Sequence, residues 1–485
     1  MRRVALLTPL PPAKSGIAHY SSLLLSAFDA EAFGSPEGYD ATKFDRVIYQ
    51  LGNNPHHEWI YSEALRHPDV IVLHDLVLHH LIVEMTLARG DAEAYAEALR
   101  ASHGAAGEAW ARGRAAGLHS EMGNFLLPAS VEVARKSRAV IVHNQWAADR
   151  LRSFGVDTPI VVVPHLYVPE TRAFDRAALR ASLGFRDDDR VIGFFGFLTS
   201  AKRAEVVLEA FRVARASDPR LQLLIVGEPA PNIDVASLAV AGVRMTGYVS
   251  DDDFPAYYVV ADRFVNLRYP TAGETSGTLI RALDAGKPVA VSDYAQFAEF
   301  PDDCVTKLPL GGGEVEGLVS FFLAELASPA EAQRGWLEGH ARLELTVAGY
   351  EAALAGDGGR AGSPHHTATG SPHHTMPLPI FPSLAVDRVT SNATQITLTL
   401  RNSGDATLPT RTYGQPVYRL IAKVLRDRQV IQDRWLELPC DLRPNATTEV
   451  TFAMVGEGDT LTLHHAMQDI PMLDPEPFAE VALVR

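Results

Sequence analysis

The chain has 485 residues, of which 47% are apolar, and it is too long for one hydrophobic core, so we expect two to four domains. Its formal net charge of −15, with no basic cluster to offset it, argues against nucleic-acid binding as a main activity, because such binding needs a basic face. The only cysteines, Cys304 and Cys440, lie far apart, which favours a reducing compartment without a disulfide framework.

The N-terminal segment is typical of an α/β domain. Residues 4–7 form an apolar run that is too short for a signal peptide but suits a buried strand. Prolines end this run, and a helix with apolar residues at helical spacing begins near Ser15 and Gly16. The pattern predicts the first strand and helix of an open sheet.

Polar side chains follow the next two predicted strands. Strands 46–51 and 69–73 end in the sequences GNNPHH and HDLVLHH. Because ligands of an open α/β sheet gather beyond the carboxyl ends of its strands, we expect these side chains to face a cleft. The candidates are Asn53, Asn54, His56, His74 and Asp75.

The longest apolar region, 70–85, is interrupted by charged and imidazole side chains, so it cannot span a bilayer. With neither a signal peptide nor a spanning segment, the sequence predicts a cytoplasmic protein. Peripheral contact with the inner face of a membrane is left open.

The sequence does not predict a metal site. His79 and His80 are adjacent and would point in different directions from a helix, and no Cys pair or second carboxylate accompanies them at ligand spacing. The acidic runs 187–189 and 251–253 are typical of solvated turns or helix N-caps.

A second alternation of strands and helices begins near Arg190. The sequence VIGFFGF reads as a buried strand, TSAKRAEVVLEAFRVAR as an amphipathic helix, and LQLLIVG and VRMTGYV as further strands. This alternation predicts a parallel sheet. The glycines of GFFGFL lack the spacing of a dinucleotide-binding fingerprint.

The stretch 262–291 is the most informative one for function. It predicts a buried strand at 264–267 and a helix at 278–285 that ends at Gly286. The loop between them is rich in glycine and hydroxyl groups and holds one carboxylate, Glu274. Such a loop presents unpaired backbone N–H groups at a helix N-terminus, which suits a phosphate-bearing ligand.

This stretch, and the sequence RALDAGKPV in particular, resembles the donor site of family 4 glycosyltransferases, whose GT-B fold places two Rossmann-like domains face to face. That family has two glutamates eight residues apart. Here Gly273 occupies the first position, with Glu274 one residue later, and Arg281 occupies the second. Because the second glutamate usually holds the nucleotide ribose, the resemblance makes Arg281 the donor-nucleotide residue and leaves the donor's identity open.

The resemblance also implies where the donor diphosphate binds. In the family the first strand of the second domain ends in Gly-Arg, with a Lys five residues later; here Gly196 and Lys202 match and Phe197 replaces the Arg. A lysine in the first turn of a helix is electrostatically unfavourable, which favours a binding role. The implied diphosphate residues are Gly16, Lys202, Arg203, Ser276, Gly277 and Thr278.

By the same resemblance, Glu274 holds the donor sugar and His74 or Asp75 acts on the acceptor side, so these three are the predicted catalytic residues. The implied reaction transfers a sugar from a nucleotide-sugar to a glycan or lipid-linked acceptor, with retention and without a metal or other cofactor, in cell-surface polysaccharide synthesis. Positioning and stabilisation of leaving-group charge would carry the catalysis.

Composition changes abruptly after a predicted helix at 330–355, which resembles the family's cross-over helix. Residues 356–379, where GSPHHT occurs twice, predict a flexible linker, with a His-rich metal site as the weaker alternative. Residues 380–485 contain alternating segments separated by turns, which predicts an all-β, immunoglobulin-like sandwich. Its aromatic residues Tyr413, Tyr418 and Trp435 are candidates for sugar stacking or for the core.

The predicted architecture is thus α/β, with Rossmann-like domains at 1–168 and 169–355, a linker and a β-sandwich. Two other functions stay open. Phe197 and Arg281, which replace two family residues, are compatible with a non-catalytic glycan-binding GT-B protein. A nucleotide-sugar epimerase or a glycan phosphorylase of the same fold is the other alternative.

Overall fold

The computed structural model describes residues 2–13, 15–115, 123–230, 233, 238, 240–250, 252–311, 313–356, 384–391, 395–402, 418–426, 429–437, 447–453, 460–467 and 479–482. The chain divides into two compact units. Unit 1 comprises Met1–Asp91 and Pro128–Ser363, and unit 2 comprises Ala92–Leu127 and Pro364–Arg485.

The strands, in chain order, are β1 (Val4–Leu7), β2 (Glu31–Phe33), β3 (Arg46–Leu51), β4 (Val70–Leu73), β5 (Ala139–Val142), β6 (Ile160–Val162), β7 (Arg190–Phe195), β8 (Leu221–Val226), β9 (Val243–Met245), β10 (Arg263–Asn266), β11 (Val289–Ser292), β12 (Thr306–Leu308), β13 (Leu384–Ser391), β14 (Gln395–Asn402), β15 (Tyr418–Arg426), β16 (Gln429–Glu437), β17 (Thr447–Ala453), β18 (Thr460–Met467) and β19 (Ala479–Ala482). The α-helices are α1 (Gly16–Leu25), α2 (Glu58–Arg66), α3 (His79–Met85), α4 (Ala92–Ala115), α5 (Gly123–Leu126), α6 (Val131–Lys136), α7 (Gln145–Ser153), α8 (Arg176–Ser182), α9 (Ala204–Ser217), α10 (Phe254–Val260), α11 (Gly277–Asp284), α12 (Glu314–Leu323), α13 (Ala330–His340) and α14 (Leu343–Ala355).

The first sheet of unit 1 is parallel and has the order β2-β1-β3-β4-β5-β6. Its central strands are buried along their whole length, as expected for apolar runs in a parallel sheet covered on both faces. Leu6 is paired with Ile48, and Ile48 with Val70, so the three side chains share one face and one core.

The second sheet of unit 1 is also parallel and has the order β12-β11-β10-β7-β8-β9. Counted from β7, this is the 3-2-1-4-5-6 order of a Rossmann-like sheet. Helices α10, α11 and α13 contribute to the core on one face, and α9 and α12 contribute to the core on the other. The strand reversal falls between β7 and β10, which places the carboxyl ends of both strands at a natural ligand-binding position.

The C-terminal helical segment of unit 1 differs from the sequence prediction. One helix was expected at 330–355, but α13 ends at His340 and α14 begins at Leu343. The main-chain N–H of Tyr167 donates to the carbonyl of Ala341 at this break, at 2.6 Å. Helix α14 then packs on the first sheet, where the hydroxyl of Tyr350 lies 3.1 Å from that of Tyr20.

Unit 2 contains α4, α5 and two antiparallel sheets, with orders β13-β14-β17 and β16-β15-β18-β19. In β14 the alternate residues Ile396, Leu398 and Leu400 are fully buried, which is the period of two expected for a strand with one covered face. An antiparallel β region therefore follows the α/β domains, whereas the immunoglobulin-like sandwich stays a prediction.

Several sequence predictions fall outside the described residues. They are the linker beyond Gly356 with its GSPHHT repeats, and the side chains of Tyr413 and Cys440. Tyr418 begins β15 and Trp435 lies in β16. None of the described helices combines the length and the apolar character needed to cross a membrane.

Candidate functional site

A cavity of about 830 Å³ lies where strands of both sheets of unit 1 end. We call its two sides the first-sheet wall, formed by residues 15–23, 54, 74–75, 143 and 165–166, and the second-sheet wall, formed by residues 196–202, 252–259 and 268–285. The cavity therefore joins the residues after β4 to those after β7 and β10, although they are distant in sequence.

Helix α11 begins at the second-sheet wall. Ser276 is its N-cap, and its hydroxyl accepts a hydrogen bond from the main-chain N–H of Leu279 at 3.3 Å and one from the amide of Asn266 at 2.9 Å. The N–H groups of Gly277 and Thr278 belong to the first helical turn, where no intrahelical acceptor exists, and both residues line the cavity. They are available to an anion there.

Lys202 lies beside this helix start, with its side chain buried. Its Nζ donates to the carbonyl oxygen of Phe195 at 2.7 Å. Burial, with the charge of Arg268 adding to it, lowers the pKa of Lys202 well below its usual value. Gly196, at φ +90°, makes room for the ammonium group, because a Cβ there would lie 2.5 Å from Nζ.

Arg268 is a residue of the second-sheet wall that the sequence analysis missed. It follows β10 by two residues, is only 8% exposed, and its Nε forms an ion pair with Oε1 of Glu274 at 2.7 Å. The signal that could have identified it is its position: a basic residue directly after a buried strand lies at the edge of the sheet where ligands gather.

Glu274 is held in a fixed orientation. Its Oε2 accepts hydrogen bonds from the hydroxyl of Thr271 and from the main-chain N–H of Ala272, both at 3.0 Å. The preceding Gly273, at φ +79°, has no room for a side chain, because a Cβ would lie 2.7 Å from Cβ of Leu76. A carboxylate is therefore sterically excluded at 273, and Glu274 supplies the acid of this loop.

The structure does not bring Arg203 to the cavity. The guanidinium of Arg203 pairs with the carboxylate of Glu314, with distances of 2.8 Å from Nε and 2.6 Å from Nη2, and both side chains are buried. Arg203 has a left-handed backbone, at φ +58°, between the 3₁₀ turn Ser200–Lys202 and α9. Its charge is thus neutralised within the fold, and we withdraw it from the predicted diphosphate contacts.

The first-sheet wall contains a group of buried imidazoles. The Nδ1 of His143 lies 2.8 Å from the carbonyl of Val163, so it must donate, and its Nε2 lies 3.0 Å from Nδ1 of His74. Burial lowers the pKa of His143 to about 4 and that of His165 to about 3. These side chains are therefore neutral at pH 7.

Asp75 and Gly16 also line the first-sheet wall. One carboxylate oxygen of Asp75 accepts from the main-chain N–H of Asn53 at 2.7 Å. Burial, with the charge of Glu274 adding to it, raises the pKa of Asp75 to about 7. Gly16 is the first residue of α1, whose N-cap, Ser15, accepts from the N–H of Ile17 at 3.2 Å.

Arg281 and Phe197, the two departures from the family pattern, both line the cavity. The Nη2 of Arg281 lies 3.3 Å from Nε2 of His19 on α1, and its guanidinium lies 5.7 Å from the ring centre of Phe254. Phe197 is 53% exposed and brings no charge to the site. Within the described part of the chain, no three His, Cys, Asp or Glu side chains are grouped so as to hold a metal ion.

A match to a protein family relates the second-sheet wall to known proteins. Residues 189–324, which contain the whole second-sheet wall, match the family of group 1 glycosyl transferases. No curated protein sequence matches the chain.

Several solved structures resemble this chain in fold. Sucrose-phosphate synthase from Thermosynechococcus elongatus aligns with a TM-score of 0.51 at 14% identity, over 72% of this chain and 98% of that one. Anabaena HepE in complex with UDP and glucose aligns with a TM-score of 0.51 at 14% identity, over 73% and 100%. HepE in complex with UDP-glucose aligns with a TM-score of 0.50 at 15% identity, over 73% and 100%.

The matched residues and the shared fold agree with the two facing parallel sheets and with the cavity at their carboxyl ends. They confirm the predicted fold class, two Rossmann-like domains in the GT-B arrangement, and the predicted enzyme class, a glycosyltransferase.

Proposed function

We propose that the protein transfers a sugar from a nucleotide-sugar donor to a glycan or lipid-linked acceptor, with retention of anomeric configuration. One observation carries the proposal. The second-sheet wall brings Lys202, Arg268 and the first turn of α11 together on one side of a single cavity, where Glu274 is the acid that interacts with both cations. A buried excess of cationic groups and unpaired N–H donors suits a diphosphate.

In this proposal the donor diphosphate contacts Lys202 and the N–H groups of Gly277 and Thr278. Arg281 lies next to this position and contacts the nucleotide. The family named by the match and the UDP-glucose complex of HepE support a nucleotide-sugar as donor and make UDP-glucose the first compound to try.

Glu274 binds the donor sugar. Two donors from its own loop fix its Oε2, and a carboxylate so oriented accepts strong hydrogen bonds from sugar hydroxyls. Because these bonds strengthen as charge develops on the sugar, Glu274 contributes to turnover more than to nucleotide affinity.

The acceptor binds at the first-sheet wall, near His74 and Asp75. Its hydroxyl oxygen forms a bond to the anomeric carbon as the bond from that carbon to the phosphate oxygen breaks, and the nucleoside diphosphate leaves. The hydroxyl proton passes to the leaving phosphate on the same face of the sugar. The cationic groups of the second-sheet wall stabilise the charge on the leaving group.

We further propose that this reaction serves cell-surface polysaccharide synthesis in the cytoplasm, at or near the inner face of the membrane, because lipid-linked acceptors are presented there. The reaction itself uses no metal ion.

The test uses the purified full chain with a panel of nucleotide-sugars and oligosaccharide or lipid-linked acceptors. Release of nucleotide is measured, and the anomeric configuration of the product is read by NMR. Acceptor-dependent release with a retained configuration supports the proposal, whereas an inverted product contradicts retention. An altered sugar still attached to the nucleotide would indicate an epimerase. Phosphate-dependent cleavage of a glycan would indicate a phosphorylase, and glycan binding without turnover would indicate a non-catalytic protein.

A further inference from the structure

We infer that Arg268 bridges two parts of the donor site, binding the diphosphate through its terminal nitrogens while its Nε holds the carboxylate of Glu274. One side chain would then set the distance between the phosphate and the sugar-binding acid. The inference rests on the proposed function, because the donor supplies the diphosphate.

The position of Arg268 is well determined by its surroundings. Its main-chain N–H donates to the hydroxyl of Ser292, the last residue of the neighbouring strand β11, at 2.9 Å. Its side chain is only 9% exposed, and it lines the cavity together with Lys202 and the start of α11. The guanidinium is therefore confined to the edge of the cavity where the anion is proposed to bind.

The hydrogen-bonding capacity of Arg268 is largely unused. A guanidinium has five N–H donors in a fixed planar fork. Nε lies 2.7 Å from Oε1 of Glu274 but without a well-directed hydrogen bond, and the terminal nitrogens make no hydrogen bond to the described residues. The terminal nitrogens of this cavity-lining side chain therefore have donors left for a ligand that supplies the acceptors.

The local charge balance points to the same ligand. Arg268 and Lys202 are both buried and repel each other, and Glu274 is the acid that interacts with both, whereas Asp284 of the same wall accepts from Tyr167 and from the main-chain N–H of Glu170. A buried cation without sufficient countercharge is costly, and a diphosphate dianion would neutralise both side chains. Phe197, which follows β7, is uncharged. Arg268, which follows the neighbouring strand β10, supplies a positive charge at this edge of the sheet instead.

The guanidinium is also the right shape for both tasks. The planar fork allows Nε to face one anion while the terminal nitrogens face another, which a lysine ammonium cannot do in a fixed geometry. The inference therefore predicts that charge and bridging are separable by substitution.

The test compares Arg268→Gln and Arg268→Lys in the full chain. Titration calorimetry with inorganic pyrophosphate, nucleoside diphosphates and the matching free nucleosides measures binding, and steady-state kinetics measures turnover. We expect Arg268→Gln to weaken diphosphate binding about 10- to 100-fold while nucleoside affinity is unchanged. We expect Arg268→Lys to recover most of that affinity but to keep kcat at least roughly tenfold below wild type.

Arg263→Lys is the matched control. Arg263 is the first residue of β10, the strand that precedes Arg268, and is equally buried, but its terminal nitrogens donate to the carbonyls of Phe322 and Ala324, at 3.2 and 3.1 Å, away from the cavity. This variant is expected to lose stability without losing diphosphate affinity. Thermal melting identifies any variant that fails to fold. If Arg268→Gln does not fold, the inference is tested with Arg268→Lys, which keeps the charge.

The outcomes separate the inference from the proposed function. Wild-type turnover together with unchanged diphosphate affinity in Arg268→Gln would overturn the inference alone. Full recovery of both affinity and kcat in Arg268→Lys would remove the bridging role. A wild-type protein that binds neither pyrophosphate nor any nucleoside diphosphate would overturn the proposed function and the inference together.

Discussion

The two walls of the cavity belong to sheets of the same kind but differ in their chemistry. The first-sheet wall carries neutral imidazoles, among them His74 and His143, and the carboxyl of Asp75. The second-sheet wall carries Lys202, Arg268 and a helix N-terminus. Both sheets are parallel and six-stranded, so their fold does not explain the difference. The residues that follow the strands decide it, which is why a fold alone does not specify a function.

Under the proposed function, this difference places the anionic donor at the second-sheet wall and the acceptor at the first-sheet wall. An anionic donor gains from the cationic wall and from the dipole of α11. A neutral hydroxyl acceptor gains nothing from fixed charge but is well matched by imidazoles and a protonatable acid, which both donate and accept hydrogen bonds. The following changes test this division, from the largest expected effect to the smallest.

Lys202→Ala removes a cation from the second-sheet wall. We expect nucleotide-sugar affinity to fall by roughly ten- to a hundredfold, because a charge-assisted contact contributes about 1.5–3 kcal/mol. The fold should be affected far less, since burial already disfavours the charged lysine. Titration calorimetry measures the affinity, and thermal melting measures the stability of the fold.

Lys307→Ala is the control for Lys202. Lys307 lies in β12 of the second sheet and pairs with Asp302 at 2.7 Å, outside the cavity. Equal affinity in the two variants would show that Lys202 does not contact the donor.

Glu274→Gln keeps the size of the side chain and removes its charge. Turnover should fall roughly tenfold or more while nucleotide affinity changes little, because the charged hydrogen bonds act on the sugar in the transition state. Steady-state kinetics and calorimetry together separate the two effects.

Glu299→Gln is the comparison for Glu274. The carboxylate of Glu299 accepts from the main-chain N–H groups of Gln145 and Trp146, at 3.0 and 2.5 Å, at the start of α7. Glu299 thus links the domain of the second sheet to the domain of the first sheet. Its substitution should lower the free energy of unfolding by about 0.3–1 kcal/mol and leave turnover nearly unchanged. Activity lost with Glu299→Gln but kept with Glu274→Gln would show that the wrong acid is assigned to the sugar.

Asp75→Asn tests the protonatable acid of the first-sheet wall. The folded protein holds this proton up to a pH near 7, whereas an unfolded chain releases it near pH 4, at about the ordinary pKa of Asp. Unfolding therefore releases a proton between these values, and the wild-type protein loses stability as pH rises through them. The asparagine of the variant does not titrate in this range, so the variant lacks this pH dependence.

We therefore expect the melting temperature of Asp75→Asn, relative to that of wild type, to rise from pH 5 to pH 8. Each ~1 kcal/mol of unfolding free energy that the variant gains relative to wild type corresponds to roughly 2–4 °C. The buried histidines contribute the opposite slope, since their pKa values are lowered, but they do so in both proteins and cancel in the difference. A difference that does not vary with pH would mean that Asp75 is ionised in the folded protein.

Ending the chain at Ser363 is expected to have the smallest effect on donor binding. Every residue that lines the cavity belongs to unit 1. Nucleotide affinity should therefore stay within about twofold of wild type, while acceptor choice is free to change. Loss of donor binding on truncation would show that the C-terminal residues contribute to the site.

The local elements of the site could be predicted from the sequence. The buried strand β10, the start of α11 near Thr278 and the carboxyl-end position of His74 all follow from short-range patterns of apolar residues, glycines and caps. The acid of the loop could be predicted as well, and the structure adds the reason that it stands at 274: the main chain at Gly273 packs directly on Leu76.

The partners of the charged residues could not be predicted, because they are distant in sequence. Arg203 and Lys202 are adjacent and both basic, yet Arg203 is neutralised by Glu314 while Lys202 faces the cavity. Arg268 acquires a role only when β7 and β10 become neighbours in the sheet.

The sequence by itself determined two parallel α/β sheets, a glycine-rich loop at the start of α11 and an antiparallel β region, because each depends on residue patterns within one or two elements. Only the tertiary structure decided which charges are paired inside the fold and which remain open to the cavity. The physical reason is that the pKa and the hydrogen-bonding state of a buried group depend on its burial and its neighbours, and for Lys202, Arg203 and Arg268 these come from strands and helices far apart along the chain.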